Sequence, residues 1–324
     1  MPRVSFLFRT DTHLAAHSPI SWKGDYTAEI FSNLEQIGEL AAKHEVNAVL
    51  DGGDYFHVKA SSKNPHYLVE KTIRIHRGYS CPTFGVEGNH DLAYNNLESL
   101  SRQPLGVIYA SEAFKLLREQ VFEDGDLRIR VVGVPYSSTR SLADLLSIQK
   151  QKGDTHLIAI VHSLACKTPP SAVEDFFNEP VFSYESLVSR NGPDVWCFGH
   201  WHKDQGVEEI GGKHFVNQGA VSRGALVREN LERTPQVSLL EFDGKTIKIS
   251  LSKLVVAPAA DVFDLEKKAI QEREHHDIDQ FVTRLVTDLA MDPNASIESS
   301  IASLDFADDV RREALKYLEQ AEVG

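Results

Sequence analysis

Short runs of apolar residues alternate with amphipathic segments along the first 260 residues. A run of four or five apolar residues between turn residues predicts a buried strand, whereas apolar positions three and four residues apart predict a helix with one buried face. Strands are predicted over residues 4–8, 46–50, 83–86, 157–161 and 195–198, and helices over residues 30–41 and 65–77. Strands and helices in this alternating order predict an α/β fold.

Two further patterns predict hairpin strands. Apolar residues alternate with Arg128 and Arg130 over residues 127–131, after an Asp-Gly turn, which predicts a half-exposed strand. Apolar runs over residues 237–242 and 246–251 flank a second Asp-Gly pair, and this arrangement is a strong hairpin signal.

Strand signals end near Ala260, and only helical patterns follow. We therefore predict a main domain over residues 1–260 and a smaller, mostly helical region over residues 261–324. The last segment places four apolar residues on one helix face, at Val310, Ala314, Leu315 and Leu318. We expect this face either to pack on its own domain or to dock on a partner, and the sequence leaves both open.

The net charge of −13 argues at first against a nucleic-acid partner, since Lys and Arg drive phosphate binding. Residues 261–324 hold 16 acidic and 7 basic residues, however, so residues 1–260 carry a net charge of only −4. No apolar stretch approaches the roughly 18 residues that span a bilayer, and the first residues have too short an apolar run for a secretory signal. We expect a cytoplasmic protein without membrane contact.

Polar residues with metal-binding side chains follow directly after the predicted strands. They are Asp11 and His13, Asp54, Asn89 with His90 and Asp91, His162, and His200 with His202. Because the carboxyl ends of strands in an open α/β sheet meet at one edge, we expect these residues to gather in one crevice. Asp-x-His and Gly-Asp are weak signals alone, whereas Gly-Asn-His-Asp is more specific and Gly-His-x-His more specific still. All five motifs in this order favour a shared site.

Carboxylates, imidazoles and one amide oxygen form a mixed set of ligands. Such a set suits Mn or Fe and differs from the thiolate-rich sites of structural zinc. One carboxylate can bridge two cations, and a pair of cations about 3.5 to 4 Å apart is typical of phosphoryl transfer. The sequence therefore predicts a site for two divalent metal ions, with Mn²⁺ as the first candidate.

The ordered motifs resemble those of the calcineurin-like metallophosphoesterases over residues 3–223. The segments Gly53-Asp54-Tyr55-Phe56-His57 and Lys63-Asn64-Pro65 further resemble the SbcD-type DNA repair nucleases. The sequence departs from the family pattern in two places. Tyr55 stands where Leu is usual, and residues 217–220 stand where many relatives carry a Pro-Gly-Ser turn. The resemblance implies a two-sheet sandwich flanked by helices and a metal-dependent DNA phosphodiesterase, that is, a hydrolase.

The resemblance also implies a role for each residue of the site. One metal ion would be held by Asp11, His13 and His202, the other by Asn89, His162 and His200, and Asp54 would bridge the two. His90 would donate a proton to the leaving oxygen, and Asp91 would orient the imidazole of His90.

A basic strip follows Asp54 in the sequence. Residues 55–80 carry five basic residues and one acidic residue, a pattern expected beside a phosphoesterase site that takes a polyanion. We predict contacts to DNA at His57, Lys59, Lys63, Lys71 and Arg74. The alternative is an ordinary solvated helix surface.

Three functions stay open at this point. The first is a DNA nuclease, which we expect to be an exonuclease, with endonuclease activity also open. It would form a homodimer and work with an SbcC-like ABC-type ATPase that docks on the helices after Asp261. The second is a stand-alone phosphatase or cyclic-nucleotide phosphodiesterase. The third is a binding scaffold without catalysis, which the presence of all seven candidate ligands and of His90 disfavours.

Overall fold

Two six-stranded sheets form the body of the protein, whose computed structural model describes residues 2–168, 179–266 and 301. The first sheet contains β1 (Arg3–Arg9), β2 (Ala48–Asp51), β3 (Thr83–Gly85), β4 (Lys115–Leu116), β13 (Gln236–Asp243) and β14 (Thr246–Lys253) in the order β14-β13-β1-β2-β3-β4. The second sheet contains β5 (Glu119–Asp124), β6 (Leu127–Val134), β7 (His156–His162), β10 (Val195–Gly199), β11 (Gly206–Ile210) and β12 (Lys213–Asn217) in the order β11-β12-β10-β7-β6-β5. A separate two-stranded sheet pairs β8 (Ala165–Cys166) with β9 (Phe182–Ser183).

Helices and short 3-10 turns connect the strands. The helices of the described residues are α1 (Tyr26–Lys43), α2 (His66–Arg77), α3 (Pro104–Ala110), α4 (Leu142–Leu146), α5 (Arg228–Glu232) and α6 (Ala259–Val262). The 3-10 turns are Ser61–Lys63, Asn89–Asp91, Ala93–Asn95, Leu97–Arg102 and Glu185–Leu187.

The main core lies between the two sheets. Phe6 and Phe8 of β1 and Ile158 of β7 are buried in the same apolar cluster. Alternate residues of a strand point to opposite faces, and Leu7 accordingly packs on the other side of the first sheet, in a cluster with Ile37 of α1. The α/β sandwich expected from the sequence is therefore confirmed.

Parallel pairing within the sheets brings the ends of distant segments together. In the first sheet β1, β2 and β3 are parallel neighbours, and in the second sheet β6, β7, β10 and β12 are parallel neighbours. The carboxyl ends of β1, β2, β3, β7 and β10 are the points after which the metal-binding motifs follow.

The predicted strands and the two predicted helices are present, with small shifts at their ends. Helix α1 begins four residues before its first predicted apolar position, because the Asp25 carboxylate caps it by accepting a hydrogen bond from the N–H of Ala28 at 2.9 Å. The strand predicted over 46–50 begins at Ala48, since Val46 still closes the turn after α1 through its N–H and the carbonyl of Ala41. The short edge strands β4 and β11 were not predicted.

The described residues up to Phe263 belong to one compact unit. The predicted boundary near Ala260 stays a prediction, and the apolar face with Val310, Ala314, Leu315 and Leu318 lies outside the described residues. Within the described part of the chain, every helix is too short or too polar to cross a membrane.

Candidate metal centre

The loops after β1 and β2 run side by side beyond the sheet. The N–H of Asp11 donates to the carbonyl of Gly53 at 3.0 Å, and the N–H of His13 donates to the carbonyl of Asp54 at 2.9 Å. Asp11, His13, Asp54 and His200 all adopt positive φ values, of 53°, 46°, 54° and 90°. Residues other than glycine rarely adopt positive φ values, and this kind of backbone strain concentrates at functional sites.

A first group of ligand atoms contains Asp11, His13, Asp54 and His202. The Nε2 atom of His13 lies 3.9 Å from Oδ1 of Asp11 and 3.6 Å from Oδ2 of Asp54. The Nε2 atom of His202 lies 2.8 Å from Nε2 of His13 and 3.7 Å from Oδ1 of Asp11. The four residues come from three loops that are far apart in sequence.

A second group contains Asp54, His162 and His200. The Nε2 atom of His162 lies 3.5 Å from Oδ2 of Asp54 and 3.3 Å from Oδ1 of Asn89. The Nδ1–H of His162 donates to the carbonyl of Gly52 at 2.6 Å, which leaves Nε2 as the nitrogen that can bind a metal. Asp54 thus belongs to both groups, and the seven predicted ligands lie together around it.

The donor set fits a pair of divalent cations. Two atoms that bind one ion at about 2.0 to 2.2 Å lie roughly 3 to 4 Å apart, and most of the distances above fall in that range. Oδ2 of Asp54 is buried and has no hydrogen-bond partner among the described residues. A buried carboxylate oxygen without a partner is costly, and a cation would satisfy it.

The charge state of the site is set by Asp54. Burial works to raise the pKa of the Asp54 carboxyl, but His162, His13 and His90 together outweigh burial and hold the pKa well below its usual range. Burial likewise works to lower the pKa of His162, yet Asp54, Asp11 and the carbonyl of Gly52 together outweigh it and raise the pKa to about 9. When no cation is bound, a proton on His162 therefore supplies the positive charge beside Asp54. A bound metal ion would displace that proton.

Glycines allow the loops to approach one another closely. A Cβ atom on Gly88 would lie 2.1 Å from Oδ1 of Asp54, and a Cβ atom on Gly53 would lie 2.7 Å from Nδ1 of His162. Gly219, in the segment that departs from the family pattern, has a φ of 74°, and a Cβ atom there would lie 2.7 Å from the carbonyl of His202. That segment therefore still forms the close turn that supports His202.

Asp91 is placed differently from the expectation that it orients the imidazole of His90. Its carboxylate accepts hydrogen bonds from the backbone N–H groups of Tyr55, Phe56 and Gly88, each at 3.0 Å. These N–H groups lie beyond the strand ends, so they need an acceptor other than the sheet. Asp91 thus ties the loop after β2 to the loop after β3.

The imidazole of His90 is held by His57 instead. The Nδ1–H of His90 donates to the carbonyl of His57 at 2.6 Å, and the two rings are stacked with centroids 5.3 Å apart. The backbone N–H of His90 donates to Oδ1 of Asp54 at 2.8 Å. The Nδ1 atoms of His57 and His13 lie 3.4 Å apart. His57 therefore lies between a candidate ligand and the candidate proton donor.

A carboxylate that the sequence did not indicate contacts the second group. Glu179 accepts a hydrogen bond from Nε2–H of His200 at 3.0 Å, and it also accepts one from the hydroxyl of Tyr136. Burial works to raise the pKa of Glu179, but the contacts with His200, Tyr136 and His162 together outweigh burial and lower the pKa. A carboxylate in this position fixes the orientation of the His200 ring.

Tyr55, the other departure from the family pattern, belongs to a buried polar network below the site. Its hydroxyl lies 3.1 Å from Nε2 of His76, and its ring lies 5.2 Å from the guanidinium of Arg9. Arg9 forms a buried ion pair with Asp51 at 2.8 Å, and Oδ1 of Asp51 accepts the N–H of Gly53 at 2.9 Å. His76 also contacts Arg9 at 3.3 Å and Thr83 at 3.2 Å, so the tyrosine adds one more polar contact to this network, which a leucine could not make.

The predicted basic strip separates into two parts. Lys63 borders a cavity beside the site, and Lys59 donates to Oδ1 of Asn95 at 3.2 Å, close to the loop that carries His90. Lys71 instead lies 4.2 Å above the ring of Phe31, and Arg74 pairs with Glu70 one helical turn earlier. The side chains of Lys71 and Arg74 therefore contact residues of helices α1 and α2.

The chain resembles known proteins in ways that agree with this geometry. A family model described as calcineurin-like phosphoesterase matches residues 4–204. The DNA double-strand break repair protein Mre11 of Archaeoglobus fulgidus is 25% identical over 244 residues, which cover 68% of this chain and 50% of that protein. This chain thus spans about half the length of the curated relative that it matches.

Two solved structures from Thermus thermophilus are also similar. The sulfate thiohydrolase SoxB in complex with glycerol has a TM-score of 0.44 and 12% identity, and the match covers 77% of this chain and 56% of that one. The protein TT1561 has a TM-score of 0.43 and 14% identity, with 78% and 99% covered. The family match spans more than half of the residues and confirms the predicted family. This chain belongs to the calcineurin-like phosphoesterase family.

Proposed function

We propose that this chain is a two-metal phosphodiesterase that cleaves DNA, as the nuclease subunit of a DNA repair system. The observation that carries the proposal is the shared position of Asp54 in two groups of ligand atoms. A pair of cations bound there would supply an activated water and would neutralise the charge of a phosphodiester. The similarity to Mre11 supports DNA as the substrate.

The residues around the cations have distinct tasks in this proposal. His90 holds a proton for the leaving oxygen, because its Nδ1–H is engaged by the carbonyl of His57 and its Nε2 is the nitrogen left to face the substrate. Asp91 keeps the loop of His90 in register through the backbone N–H groups that it accepts. Glu179 orients His200 in the same way.

Several finer points belong to the same proposal. Mn²⁺ is the expected ion, because hard oxygen ligands and imidazoles occur together. His57, Lys59 and Lys63 contact the DNA, and Lys71 and Arg74 extend this contact along α2. An SbcC-like ATPase docks on residues 261–324, the protein forms a homodimer, and it works in the cytoplasm.

A stand-alone phosphatase or cyclic-nucleotide phosphodiesterase is the second candidate function. The intramolecular partners of Lys71 and Arg74 favour it, since these two cations contact Phe31 and Glu70. Under this alternative, small esters turn over faster than DNA and the basic residues are dispensable.

Digestion of labelled single-stranded and double-stranded DNA with Mn²⁺, with Mg²⁺ or with a chelator tests the proposal. A generic small phosphodiester serves as a parallel substrate, and Asp54→Asn serves as the inactive control. We expect metal-dependent release of nucleotides by the wild-type protein alone. Turnover of the small diester without any cleavage of DNA would refute DNA as the substrate and favour the second candidate.

A further inference from the structure

A cavity of about 840 Å³ opens next to the first group of ligands. Its walls come from four segments, namely the loop before α1, the turn between β2 and α2, the loop after β10 and the stretch around α5. A volume in the range of roughly 300 to 1000 Å³ is typical of pockets that hold a small organic group. We call it the loop pocket.

The loop pocket shares a wall with the candidate metal centre. His13 and His202 both line it, and their Nε2 atoms are the candidate ligand atoms that lie 2.8 Å apart. The side chain of His202 is 51% exposed, so this side of the centre is open. A phosphodiester bound at the cations therefore has one of its two ester groups at the mouth of the loop pocket.

The inside of the loop pocket is mainly apolar because its polar groups bond to the protein. The hydroxyl of Tyr26 donates to the carbonyl of His13 at 3.0 Å, and the hydroxyl of Ser222 donates to the carbonyl of Asp11 at 3.0 Å. Between these groups lie small apolar side chains, at Ala15, Ala16, Pro19, Val58, Pro65 and Ala225. Such walls suit a flat, weakly polar ring rather than a sugar chain or a charged group.

The charge around the loop pocket favours an anionic substrate. Its described lining residues include Lys63 and Arg233 and no Asp or Glu. Arg233 is engaged by the carbonyl of Ala220 at 2.5 Å and by Oδ1 of Asn230 at 2.9 Å, so Lys63 is the cation better placed to meet a ligand. A nucleoside within a phosphodiester chain fits this arrangement. Its base would lie in the apolar pocket, one phosphate would lie at the metal centre, and Lys63 would lie near the rest of the anionic chain.

We propose that the loop pocket holds one unpaired nucleoside of a DNA end, attached to the phosphate at the metal centre. This inference rests on the proposed function and adds the form of the substrate to it. The loop pocket is lined by protein from several segments, so a base that enters it leaves its neighbours in the stack. Enzymes that use such pockets act on unstacked nucleotides. The protein therefore acts on frayed or single-stranded ends.

Filling the loop pocket tests this inference. Ala225 is exposed at its wall, so Ala225→Trp inserts an indole without disturbing the core, and Ala225→Leu inserts a smaller group. Ala110→Trp, at the exposed end of α3, is the matched control outside the pocket. Two substrates with the same leaving group are compared in Mn²⁺, thymidine 5′-(p-nitrophenyl phosphate) and methyl p-nitrophenyl phosphate.

The ratio of kcat/KM for the nucleoside ester to kcat/KM for the methyl ester is the readout. We expect Ala225→Trp to lower this ratio by at least about tenfold, Ala225→Leu to lower it less, and Ala110→Trp to leave it unchanged. Wild-type protein should also degrade a duplex with an unpaired end faster than a blunt duplex, and Ala225→Trp should remove that preference. Thermal unfolding and Mn²⁺ titration of each variant confirm that fold and metal binding persist.

The failures of the two proposals are distinguishable. If the ratio of kcat/KM values is unchanged in Ala225→Trp and the wild-type protein cleaves DNA, the proposed role of the loop pocket is overturned and the nuclease proposal stands. A lowered ratio in a protein that hydrolyses a 3′,5′-cyclic nucleotide but not DNA overturns the DNA end as the source of the nucleoside. A wild-type protein that prefers blunt duplexes also overturns the inference.

Discussion

Strands β7 and β10 are neighbours in the second sheet, and their two ends are built on opposite principles. At the amino end, the carboxylate of Asp194 meets Nζ of Lys150 at 2.7 Å, Nζ of Lys213 at 3.0 Å and the N–H of Leu157 at 3.0 Å. At the carboxyl end, His162 and His200 group with Asp54 from the loop after β2, and a buried oxygen of Asp54 has no hydrogen-bond partner among the described residues.

The difference separates stability from function between the two ends of the same strands. A buried carboxylate that has cations and N–H donors around it stabilises the fold, whereas a buried carboxylate that faces imidazoles can exchange the positive charge of a proton for that of a metal ion. We therefore expect substitutions at the carboxyl end to change metal binding and turnover, and substitutions at the amino end to change the free energy of unfolding alone.

Asp54→Asn should have the largest effect. The substitution removes the only negative charge that both groups of ligands share, so the affinity for each cation should fall by more than the roughly 10- to 100-fold that supporting residues cost. Titration with Mn²⁺ measures the affinity, and hydrolysis of a small phosphodiester measures the consequence. Two cations bound as tightly as in the wild-type protein would contradict the bridging role.

His90→Asn should act on turnover and spare the metals. Loss of a positioned proton donor lowers kcat by roughly 10² to 10⁴-fold. The affinity for Mn²⁺ should change far less than in Asp54→Asn, because His90 lies outside the two groups that share Asp54 and its Nδ1–H is engaged by the carbonyl of His57. Full activity on a nucleotide diester would remove His90 from the reaction.

These residues of the centre could be read from the sequence because their positions follow a rule. Residues at the carboxyl ends of parallel strands meet at one edge, and the ligands at 11, 54, 162 and 200 all lie at or just after the ends of mainly apolar strands. The strands themselves were predictable for the same reason, since β1, β7 and β10 are buried on both faces. Edge strands such as β4 and β11 are exposed or half-buried and lack that signal.

Other features of the centre have no counterpart in the sequence pattern. Glu179 follows no predicted strand, so nothing in its surroundings distinguished it from other glutamates. The true partners of Asp91 are backbone N–H groups, which every residue possesses and no motif reveals. The pairing of Tyr55 with His76 joins a loop to a helix and depends on the packing of α2. Long-range contacts of this kind require the fold to be known.

Glu179→Gln should have an intermediate effect that is confined to one cation. Glutamine keeps the size but loses the charge that holds His200, so the affinity for the cation of the second group should fall by about 10- to 100-fold. Glu185→Gln, an exposed glutamate in the same part of the chain, is the control. Mn²⁺ titration that follows the two binding steps separately measures the change. Equal weakening of both steps would show that Glu179 does not act through His200.

Asp194→Asn should have the smallest effect on function and a clear effect on stability. The cations around Asp194 outweigh its burial and hold the pKa of its carboxyl well below the usual range. A carboxyl whose pKa is depressed in the folded state contributes stability above its unfolded pKa of about 3.9 and loses it as the pH falls. At pH 7 the variant should therefore be less stable by about 1 to 3 kcal/mol.

The pH dependence distinguishes this electrostatic role from a simple loss of packing. Urea unfolding at pH 7 should separate Asp194→Asn from the wild-type protein. The difference should shrink progressively below about pH 4, where the carboxyl of the unfolded wild-type chain takes up a proton while the folded one still stays ionised. Asp243→Asn, at an exposed hairpin position, should match the wild-type protein at both pH values. Mn²⁺ affinity should be unchanged in both variants. A loss of metal affinity in Asp194→Asn would mean that the two ends of the strands are coupled. The strained carboxyl end would then depend on the ion pairs at the amino end, because those ion pairs would hold β7 and β10 in register.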